Sequence, residues 1–254
     1  MIPRELRELA EEWDRFTPLS PGMERVGTER YVLVTGPTWA SVQGVRTDDV
    51  PATVAEVRAA IRERGGRRTT WWIGPSSRPL NLAAQLLDLG LRRPDVPELA
   101  ALALTREPAP GPPGVEVRQV CTFDEFRAAT EIRWEAFPID PVRRADEGAH
   151  LDELWEGARG GSAVTFLASL DARPAATALG VFGDRGCVLV GGATLPWARG
   201  RGLYRALVRA RWDEAVRRGT PGLAVGANPA TSYPILLRLG FEEVCRVRRL
   251  EDSL

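Results

Sequence analysis

The proline-rich segment REPAPGPPG, from Arg106 to Gly114, is the feature that most constrains how this chain can fold. Four of its nine residues are proline, which lacks an amide hydrogen and fixes φ, so the segment cannot form a helix interior or a central strand. It favours a stiff, extended linker. Because it separates parts of about 105 and 140 residues, each of ordinary domain size, we predict domains at 1–105 and 115–254 joined by the linker 106–114.

The two parts show the same order of predicted elements: a helix that ends at glycine, a strand, a proline-containing turn and a second helix. These elements are VAEVRAAIRERG (54–65), RRTTWWIG and LNLAAQLLDLGL in the first part, and LYRALVRARWDEAVRRG (203–219), PGLAVGA and ILLRLGF in the second. The stretches 65–75 and 219–229 are equal in length. Matching order and spacing predict an internal repeat, although few residues are identical and an α/β chain can give such a match by chance.

The second part is richer in strands than the first. Alternating or β-rich runs predict strands at 115–120, 162–170, 176–183, 187–195 and EEVCRVRRLE, and helices are predicted at 124–137 and 149–158. The turns DARP and GDRG are short, as in an antiparallel meander. This order predicts an α/β fold of two domains, each with a mixed, mostly antiparallel sheet flanked by helices.

Composition limits the classes of function. The 34 basic and 34 acidic side chains cancel, so the net charge suggests neither a nucleic acid nor an anionic membrane as a partner. All the basic residues are arginine, which we attribute to the codon usage of a GC-rich genome, so a single arginine carries little functional information. The three cysteines, Cys121, Cys187 and Cys245, are far apart, and His150 is the single histidine. We therefore expect no disulfide framework and no metal site.

The N-terminal stretch MIPRELRELAEEWDRF is predicted to be an amphipathic helix of mixed charge without the apolar core of a signal peptide. No apolar run approaches the roughly 20 residues that span a bilayer. The expectation is a reduced, soluble, cytoplasmic protein with no membrane partner. The oligomeric state cannot be read from the sequence.

The stretch TLPWARGRGLYRAL (194–207) places two glycines among three arginines immediately before a predicted helix. The first amide groups of a helix lack intrahelical partners and carry the positive end of the helix dipole, and glycines let an anion approach the backbone. Such a turn suits a phosphate or pyrophosphate, with Arg199, Arg201 and Arg205 adding side-chain charge. The competing interpretation is a tight turn before a solvated, arginine-rich helix. The turn has neither the Lys-Ser/Thr of a P-loop nor the G-x-G-x-x-G of dinucleotide-binding folds.

This turn resembles the pyrophosphate-binding signature of the GNAT acyltransferase superfamily, Arg/Gln-x-x-Gly-x-Gly/Ala. The matching residues are Arg199, Gly200, Arg201, Gly202, Leu203 and Tyr204, and the later PILLRLGF (234–241) resembles the helix with Leu-Gly-Phe near the C-terminus of that family. The resemblance covers residues 115–254. It implies that Arg199 to Arg205 hold the pyrophosphate of acetyl-CoA, the cosubstrate. The strand Gly191-Gly192-Ala193-Thr194 would then lie along the pantetheine, with Ala193 and Thr194 in contact with it. The sequence departs from the signature at Tyr204, where a small residue is usual.

The region of the first part that corresponds to this turn, VQGVRTDDVPATVAEV, offers aspartates where groups that bind an anion would be needed. Residues 1–105 therefore resemble a degenerate GNAT-like domain without a cofactor of its own. We expect this domain to close the acceptor pocket or to take the place of a dimer partner.

Transfer of an acyl group from a thioester to an amine needs a neutral amine and benefits from protonation of the leaving thiolate. The tyrosine that usually serves as the acid in the family corresponds to Leu236, so Tyr233, three residues earlier, is the catalytic candidate unless its ring merely packs on the core. Asn228 matches a position that binds pantetheine, although an Asn-Pro turn explains it equally well.

For the general base, the sequence offers Glu131, Glu135 and Asp140. Glu131 and Glu135 lie four residues apart on one face of a predicted helix, which is more often simply solvated. Glu135, beside Trp134 and Phe137, is the preferred candidate.

The sequence thus predicts an N-acetyltransferase that moves an acetyl group from acetyl-CoA to an amine acceptor, a small molecule or a peptide, by direct attack. The alternative is a non-catalytic acyl-CoA sensor or regulatory module, which the leucine at 236 favours. A third possibility is another phosphate-bearing ligand. The identity of the acceptor and the acyl-chain preference cannot be read from the sequence.

Overall fold

The computed structural model describes residues 1–36, 39–137, 139, 141–159 and 161–254. Its helices are α1 (Arg4–Glu11), α2 (Trp13–Phe16), α3 (Val50–Glu63), α4 (Leu82–Asp88), α5 (Phe123–Ala136), α6 (Pro141–Ala149), α7 (Leu151–Ala158), α8 (Leu203–Arg217) and α9 (Ser232–Arg238), with a 3₁₀ turn at Pro196–Ala198. Its strands are β1 (Glu24–Gly27), β2 (Val32–Thr35), β3 (Ala40–Gln43), β4 (Arg68–Ile73), β5 (Leu99–Leu104), β6 (Val115–Gln119), β7 (Ala163–Leu170), β8 (Arg173–Gly183), β9 (Gly186–Thr194), β10 (Leu223–Ala227) and β11 (Glu242–Ser253). They form two compact units: unit 1 comprises Met1–Ala103 and Gly226–Leu254, and unit 2 comprises Leu104–Val225.

Unit 1 contains a mixed sheet with the strand order β1-β2-β3-β4-β11-β5. Strands β3 and β4 are parallel and are joined by the crossover helix α3, whereas the other neighbouring pairs are antiparallel. The core is apolar and draws on every layer of the unit: Val42 of β3, Val54 of α3, Trp71 of β4, Leu86 of α4 and Leu250 of β11 are all buried in one cluster. Burial of these side chains is the main force that holds the helices on the sheet.

The C-terminal strand β11 belongs to the sheet of unit 1. It pairs with β4 over residues 248–253 and with β5 over residues 242–247. Arg58 of α3 holds its end, because Nε and Nη2 each donate a 2.8 Å hydrogen bond to a carboxylate oxygen of buried Asp252. The sequence predicted 115–254 as one domain, whereas residues 226–254 pack within unit 1. A compact unit in the structure need not coincide with a domain, so the predicted division of the chain into two domains at 106–114 remains a prediction.

Unit 2 contains a second mixed sheet with the strand order β10-β9-β8-β7-β6. Among the strand pairs that the structure describes in this sheet, β9 and β10 form the parallel one, and α8 is the crossover helix between them. The strands β7, β8 and β9 form the predicted antiparallel meander, whose first turn places Asp171 and Ala172 in the left-handed region that a tight hairpin requires. A cluster of Ala129 and Ile132 of α5 with Leu167, Ala193 and Leu195 forms a buried core of this unit.

One topology occurs twice along the chain. In each case, antiparallel strands lead into a parallel pair joined by a crossover helix, β3–α3–β4 or β9–α8–β10, and a further helix follows in sequence, α4 or α9. The predicted internal repeat and the predicted mixed, mostly antiparallel sheets are therefore confirmed.

Two helices differ from the sequence prediction. The predicted N-terminal helix is interrupted at Glu12 and forms α1 and α2. Between β6 and β7 the described residues form three helices, not two, because PVRRADEGA forms α6. That segment starts with proline, which is favourable at the first position of a helix, but its side chains are mostly exposed, so it lacks the apolar periodicity on which the prediction depended.

The proline-rich segment 106–114 lies outside helices and strands, as predicted, but it is packed against α8. Gly111 lies against Ala206, since a Cβ built on Gly111 would come within 2.7 Å of the Ala206 Cβ. Arg209 donates a 3.1 Å hydrogen bond to the carbonyl of Pro108 and pairs with Glu107 at 2.6 Å. The segment therefore follows the surface of α8 in unit 2, a placement that its composition does not predict.

Helix α8 is fixed to the sheet of unit 2 by Glu214. The side chain of Gln119 in β6 donates to its carboxylate at 3.1 Å, and Arg217 and Arg218 donate at 2.5 and 2.6 Å. The hydrogen bond from Arg217 and the charge of Arg218 lower the pKa of this buried carboxyl from 4.5 to about 2.

We expect Glu214→Gln to destabilise the protein in a pH-dependent manner. Because the pKa in the folded state lies below its ordinary value, ionised Glu214 stabilises the fold above pH 4.5, and this contribution is lost as the pH falls toward 2. The free energy of unfolding of Glu214→Gln at pH 7 should be lower by about 2 kcal/mol, a value reduced to allow for the exposed Arg217, and the difference should disappear near pH 2. Urea unfolding at several pH values measures it.

The matched control is Asp213→Asn, one residue earlier on α8, whose exposed pair with Arg209 should contribute less than about 0.5 kcal/mol at any pH. An equal loss for Glu214→Gln at pH 7 and near pH 2 would contradict the assignment of the effect to ionised Glu214.

Candidate functional site

The N-terminus of α8 in unit 2 is open. Its N-cap residue is Gly202, and no side chain caps it. The first intrahelical bond recorded there runs from the amide of Ala206 to the carbonyl of Gly202, so the amides of Leu203, Tyr204 and Arg205 are the ones left without helical partners. Unpaired amides together with the helix dipole make this end a place where an anion binds favourably.

Backbone geometry accounts for the glycines of this turn. Gly200 has φ +75° and Gly202 has φ +80°, both in the left-handed region that residues with a Cβ rarely adopt. A Cβ on Gly202 would also lie 2.8 Å from Pro112, whereas nothing lies within 4 Å of one on Gly200. The proline-rich segment therefore packs on the turn itself and fixes its N-cap residue as glycine.

The three arginines of the turn differ in their surroundings. Arg199 is exposed and donates from Nε to the carbonyl of Thr194 at 3.2 Å, which joins the turn to the end of β9. Arg201 is exposed. Arg205 is half-buried, and its Nε is buried without a hydrogen-bond partner among the described residues. A buried donor without an acceptor is costly, and a bound anion is a group that could supply one.

Strand β9 carries a bulge just before this turn. Val190 pairs with Leu179 of β8 and Ala193 pairs with Thr177, so Gly191 and Gly192 face the single residue Ala178. Gly191 has φ +57°, as expected for the glycine of such a bulge. Val190, Gly191 and Gly192 are exposed, whereas the residues before them and Ala193 after them are buried. The bulge therefore presents backbone groups to solvent in the middle of the strand.

The opposite edge of β9 is open beyond its first residues. Its parallel pairing with β10 is recorded at Cys187–Leu223 and Val188–Ala224 and continues no further among the described residues. From Leu189 onward, β9 can therefore offer amides and carbonyls on that side to a ligand that lies along it. The open edge ends at Thr194, where the turn to α8 begins.

Tyr204 lies on the bulge. A Cβ built on Gly192 would come within 2.6 Å of the ring of Tyr204, so the ring occupies the space above that glycine. Behind the ring lies Arg211, which is 1% exposed and whose guanidinium is 5.9 Å from the ring centroid. Arg211 donates to the carbonyls of Leu207 at 3.0 Å and Leu179 at 3.2 Å, and burial lowers its pKa.

The equivalent helix end in unit 1 is closed. Asp49 is the N-cap residue of α3, and its carboxylate accepts a 2.9 Å hydrogen bond from the amide of Ala52. Pro51, in the first turn of α3, has no amide hydrogen to offer. The positions that would receive an anion are therefore occupied by the chain's own carboxylate, as the aspartates in the sequence indicated.

Three further candidates belong to residues 226–254, which pack in unit 1. The hydroxyl of Tyr233 donates to Glu243 at 2.7 Å, and this hydrogen bond raises the pKa of Tyr233. The carboxamide oxygen of Asn228 accepts from the amide of Ala230 at 2.8 Å, as in an Asx turn. Leu236 is a fully buried core residue. Tyr233 as acid and Asn228 as pantetheine ligand both stay predictions.

The candidates for a base lie on or near α5. Glu131 and Glu135 are exposed, and Glu135 forms no hydrogen bond or ion pair with the described residues. The neighbouring Trp134 donates from Nε1 to Glu147 of α6 at 2.8 Å. Asp140 lies outside the described residues. The structure therefore adds no partner that would mark Glu135 as a base, and its role stays a prediction.

Within the described ranges, no group of three or more His, Cys, Asp or Glu side chains comes together as a metal site. The cysteines are free thiols: Cys121 is exposed, Cys187 is buried and Cys245 is partly buried. The same ranges contain no helix that is both long and apolar enough to cross a membrane.

Two parts of this site were missed by the sequence analysis, namely Pro112 against Gly202 and Arg211 behind Tyr204. The first depends on a contact between distant segments. The second carried a weak signal, since Tyr204 and Arg211 are seven residues apart and so share one face of α8. In a chain where every basic residue is arginine, that signal does not stand out.

Comparison with solved structures identifies the fold. The chain is similar to a GCN5-related N-acetyltransferase from Kribbella flavida, with a TM-score of 0.70, 19% identity, and 97% of this chain and 95% of that chain covered. A tandem GNAT protein from the clavulanic acid biosynthesis pathway gives a TM-score of 0.61 and 17% identity over 99% of this chain and 88% of that one. No protein-family model and no curated protein matches the chain. At these identities the likenesses show the fold alone: this chain has the fold of the GCN5-related N-acetyltransferases, in a tandem form.

Proposed function

We propose that the protein is an N-acetyltransferase that uses acetyl-CoA and that unit 2 holds the donor. The observation that carries the proposal is the uncapped, glycine-lined N-terminus of α8 at the end of the open, bulged edge of β9. A pyrophosphate suits the free amides of α8, and the pantetheine, a chain of amides, suits an unpaired strand edge. The solved structures of similar fold named as N-acetyltransferases support the same class of reaction.

Each residue of the site then has a distinct role. The amides of Leu203, Tyr204 and Arg205 bind the pyrophosphate oxygens, and Arg199, Arg201 and Arg205 add charge around them. The unpartnered Nε of Arg205 is the buried donor that fits an anion at this place. Ala193 and Thr194 end the strand edge along which the pantetheine lies, and the exposed backbone at Gly191 and Gly192 faces the thioester. An amide directed at the thioester carbonyl would stabilise the negative charge that forms there during attack.

Unit 1 is proposed to have no donor site of its own. Asp49 places a negative charge at the N-terminus of α3, where a pyrophosphate would be repelled, and Pro51 removes an amide. We assign unit 1 a structural role, as a repeat that retains the fold without the anion site.

The acceptor is proposed to be an amine of a small molecule or a peptide that attacks the thioester directly. Glu135, exposed on α5, remains the candidate for accepting its proton. The competing function is a non-catalytic acyl-CoA sensor. Buried Leu236 and the engaged hydroxyl of Tyr233 favour that alternative, because neither presents a free acidic proton.

Calorimetric titration with acetyl-CoA, followed by an assay of free thiol release with a panel of polyamines, aminoglycosides and peptide N-termini, tests the proposal. We expect binding in the micromolar range, turnover of at least one amine, and an affinity about tenfold lower in Arg199→Ala, which removes one charge-assisted contact. Arg62→Ala on α3 makes the same change in net charge far along the sequence and should bind normally. Tight binding without turnover of any amine would favour the sensor, and absence of binding would overturn both functions.

A further inference from the structure

Loss of a thiolate from a tetrahedral intermediate is faster when a proton is delivered to sulfur. The strand residues at the bulge, Val190 to Ala193, have no acidic proton to give. The titratable side chain that contacts the bulge is Tyr204, whose ring carbons Cε2 and Cζ lie 2.6 and 3.7 Å from a Cβ built on Gly192. The hydroxyl, attached to Cζ, is therefore held close to the segment that the proposed function assigns to the thioester.

The surroundings of Arg211 are unusual for a structural residue. It is fully buried, yet no carboxylate pairs with it among the described residues, and its Nη2 has no hydrogen-bond partner. Its bonded acceptors are two backbone carbonyls, those of Leu207 and Leu179. Leaving a buried charge without a counterion costs several kcal/mol, and an apolar side chain of the same length would fill the space without that cost.

Arg211 contacts both the strand next to the bulge and Tyr204. Nη1 donates to the carbonyl of Leu179, the residue of β8 that pairs next to the bulge, while the guanidinium carbon lies 5.9 Å from the centroid of the Tyr204 ring. One side chain therefore contacts both β8, next to the bulge, and the tyrosine that lies on the bulge. A cation at this place also stabilises negative charge on the phenol oxygen.

We propose that Tyr204 is the proton donor of the transfer reaction and that Arg211 is its positioning residue. As the tetrahedral intermediate collapses, the carbon–sulfur bond breaks and its electron pair goes to sulfur, which takes the phenol proton of Tyr204. The phenolate, held beside Arg211, recovers through water the proton that Glu135 accepted from the attacking amine. The sum is amine plus acetyl-CoA giving amide plus free CoA thiol. This inference rests on the proposed function.

The test compares Tyr204→Phe, which keeps the ring, with the wild type, using the amine that turns over fastest in the panel. We expect kcat to fall about 100-fold, with the affinity for acetyl-CoA measured by calorimetry unchanged. Tyr31→Phe, which removes the hydroxyl of a buried tyrosine in unit 1, should leave kcat unchanged.

The positioning role of Arg211 is tested with one variant that removes its positive charge and one that keeps it. Arg211→Met keeps the volume and should lower kcat without lowering the affinity for acetyl-CoA, while Arg211→Lys should restore part of the rate. Wild-type kcat in Tyr204→Phe, or a loss in Tyr233→Phe instead, would overturn the inference and leave the proposed function intact. Absence of turnover by the wild type with every amine would overturn the proposed function, and this inference with it.

Discussion

Gly202→Asp should lower the affinity for acetyl-CoA by about a thousandfold. The substitution places a carboxylate at the N-cap of α8, where it would accept hydrogen bonds from the free amides in the same way that Asp49 does in α3. The bound pyrophosphate would then meet a fixed negative charge in place of donors, and like charges brought together cost several kcal/mol. Calorimetry with acetyl-CoA measures the loss directly.

Backbone strain alone cannot produce that result, and Gly219→Asp separates the two effects. Gly219 follows the other end of α8 and has almost the same φ, +79° against +80°, with nothing within 4 Å of an added Cβ. Both variants carry the cost of a side chain in the left-handed region, about 1–2 kcal/mol of stability. Gly202→Asp adds a contact with Pro112, so its folding should be checked by thermal unfolding. Equal affinity for acetyl-CoA in both variants would show that the turn does not bind the pyrophosphate.

The turn and its helix could be predicted because their information is local. Glycines at the positions with positive φ, the helix that follows them, and the strand before them all lie within residues 186–217. The meander was equally readable, because short turns between β-rich runs leave few other arrangements. The same locality allowed the lack of an anion site in the first part to be predicted from the aspartates of VQGVRTDDVPATVAEV.

The partners of β11 could not be predicted from the sequence. The run EEVCRVRRLE indicates a strand, but the edges of sheets are chemically alike, and no local signal states which sheet a strand joins. What fixes β11 in unit 1 is a set of distant contacts, above all Arg58 with Asp252, 194 residues apart. The role of Arg211 could not be predicted for a related reason. That role depends on the burial of its side chain, and the sequence does not show which of so many arginines is buried.

The placement of β11 leads to the last prediction, that Asp252→Ala destabilises the protein severely. Asp252 is 1% exposed and accepts both hydrogen bonds from Arg58. Its removal leaves a largely buried guanidinium without a counterion and loosens the end of the strand that lies between β4 and β5, so the free energy of unfolding should fall by about 3 kcal/mol. Thermal and urea unfolding measure the loss.

The neighbouring residue on the same strand provides the control. Glu251 pairs with Arg249 at 2.5 Å, but its side chain is 44% exposed, so Glu251→Ala should cost less than about 1 kcal/mol. If the pair with Arg58 is what matters, the double variant Arg58→Met with Asp252→Leu should recover much of the stability that Asp252→Ala loses, because an apolar pair leaves no unpaired charge. A loss in Asp252→Ala no larger than that in Glu251→Ala would mean that β11 is held by its strand pairing, and that the ion pair contributes little to its place in unit 1.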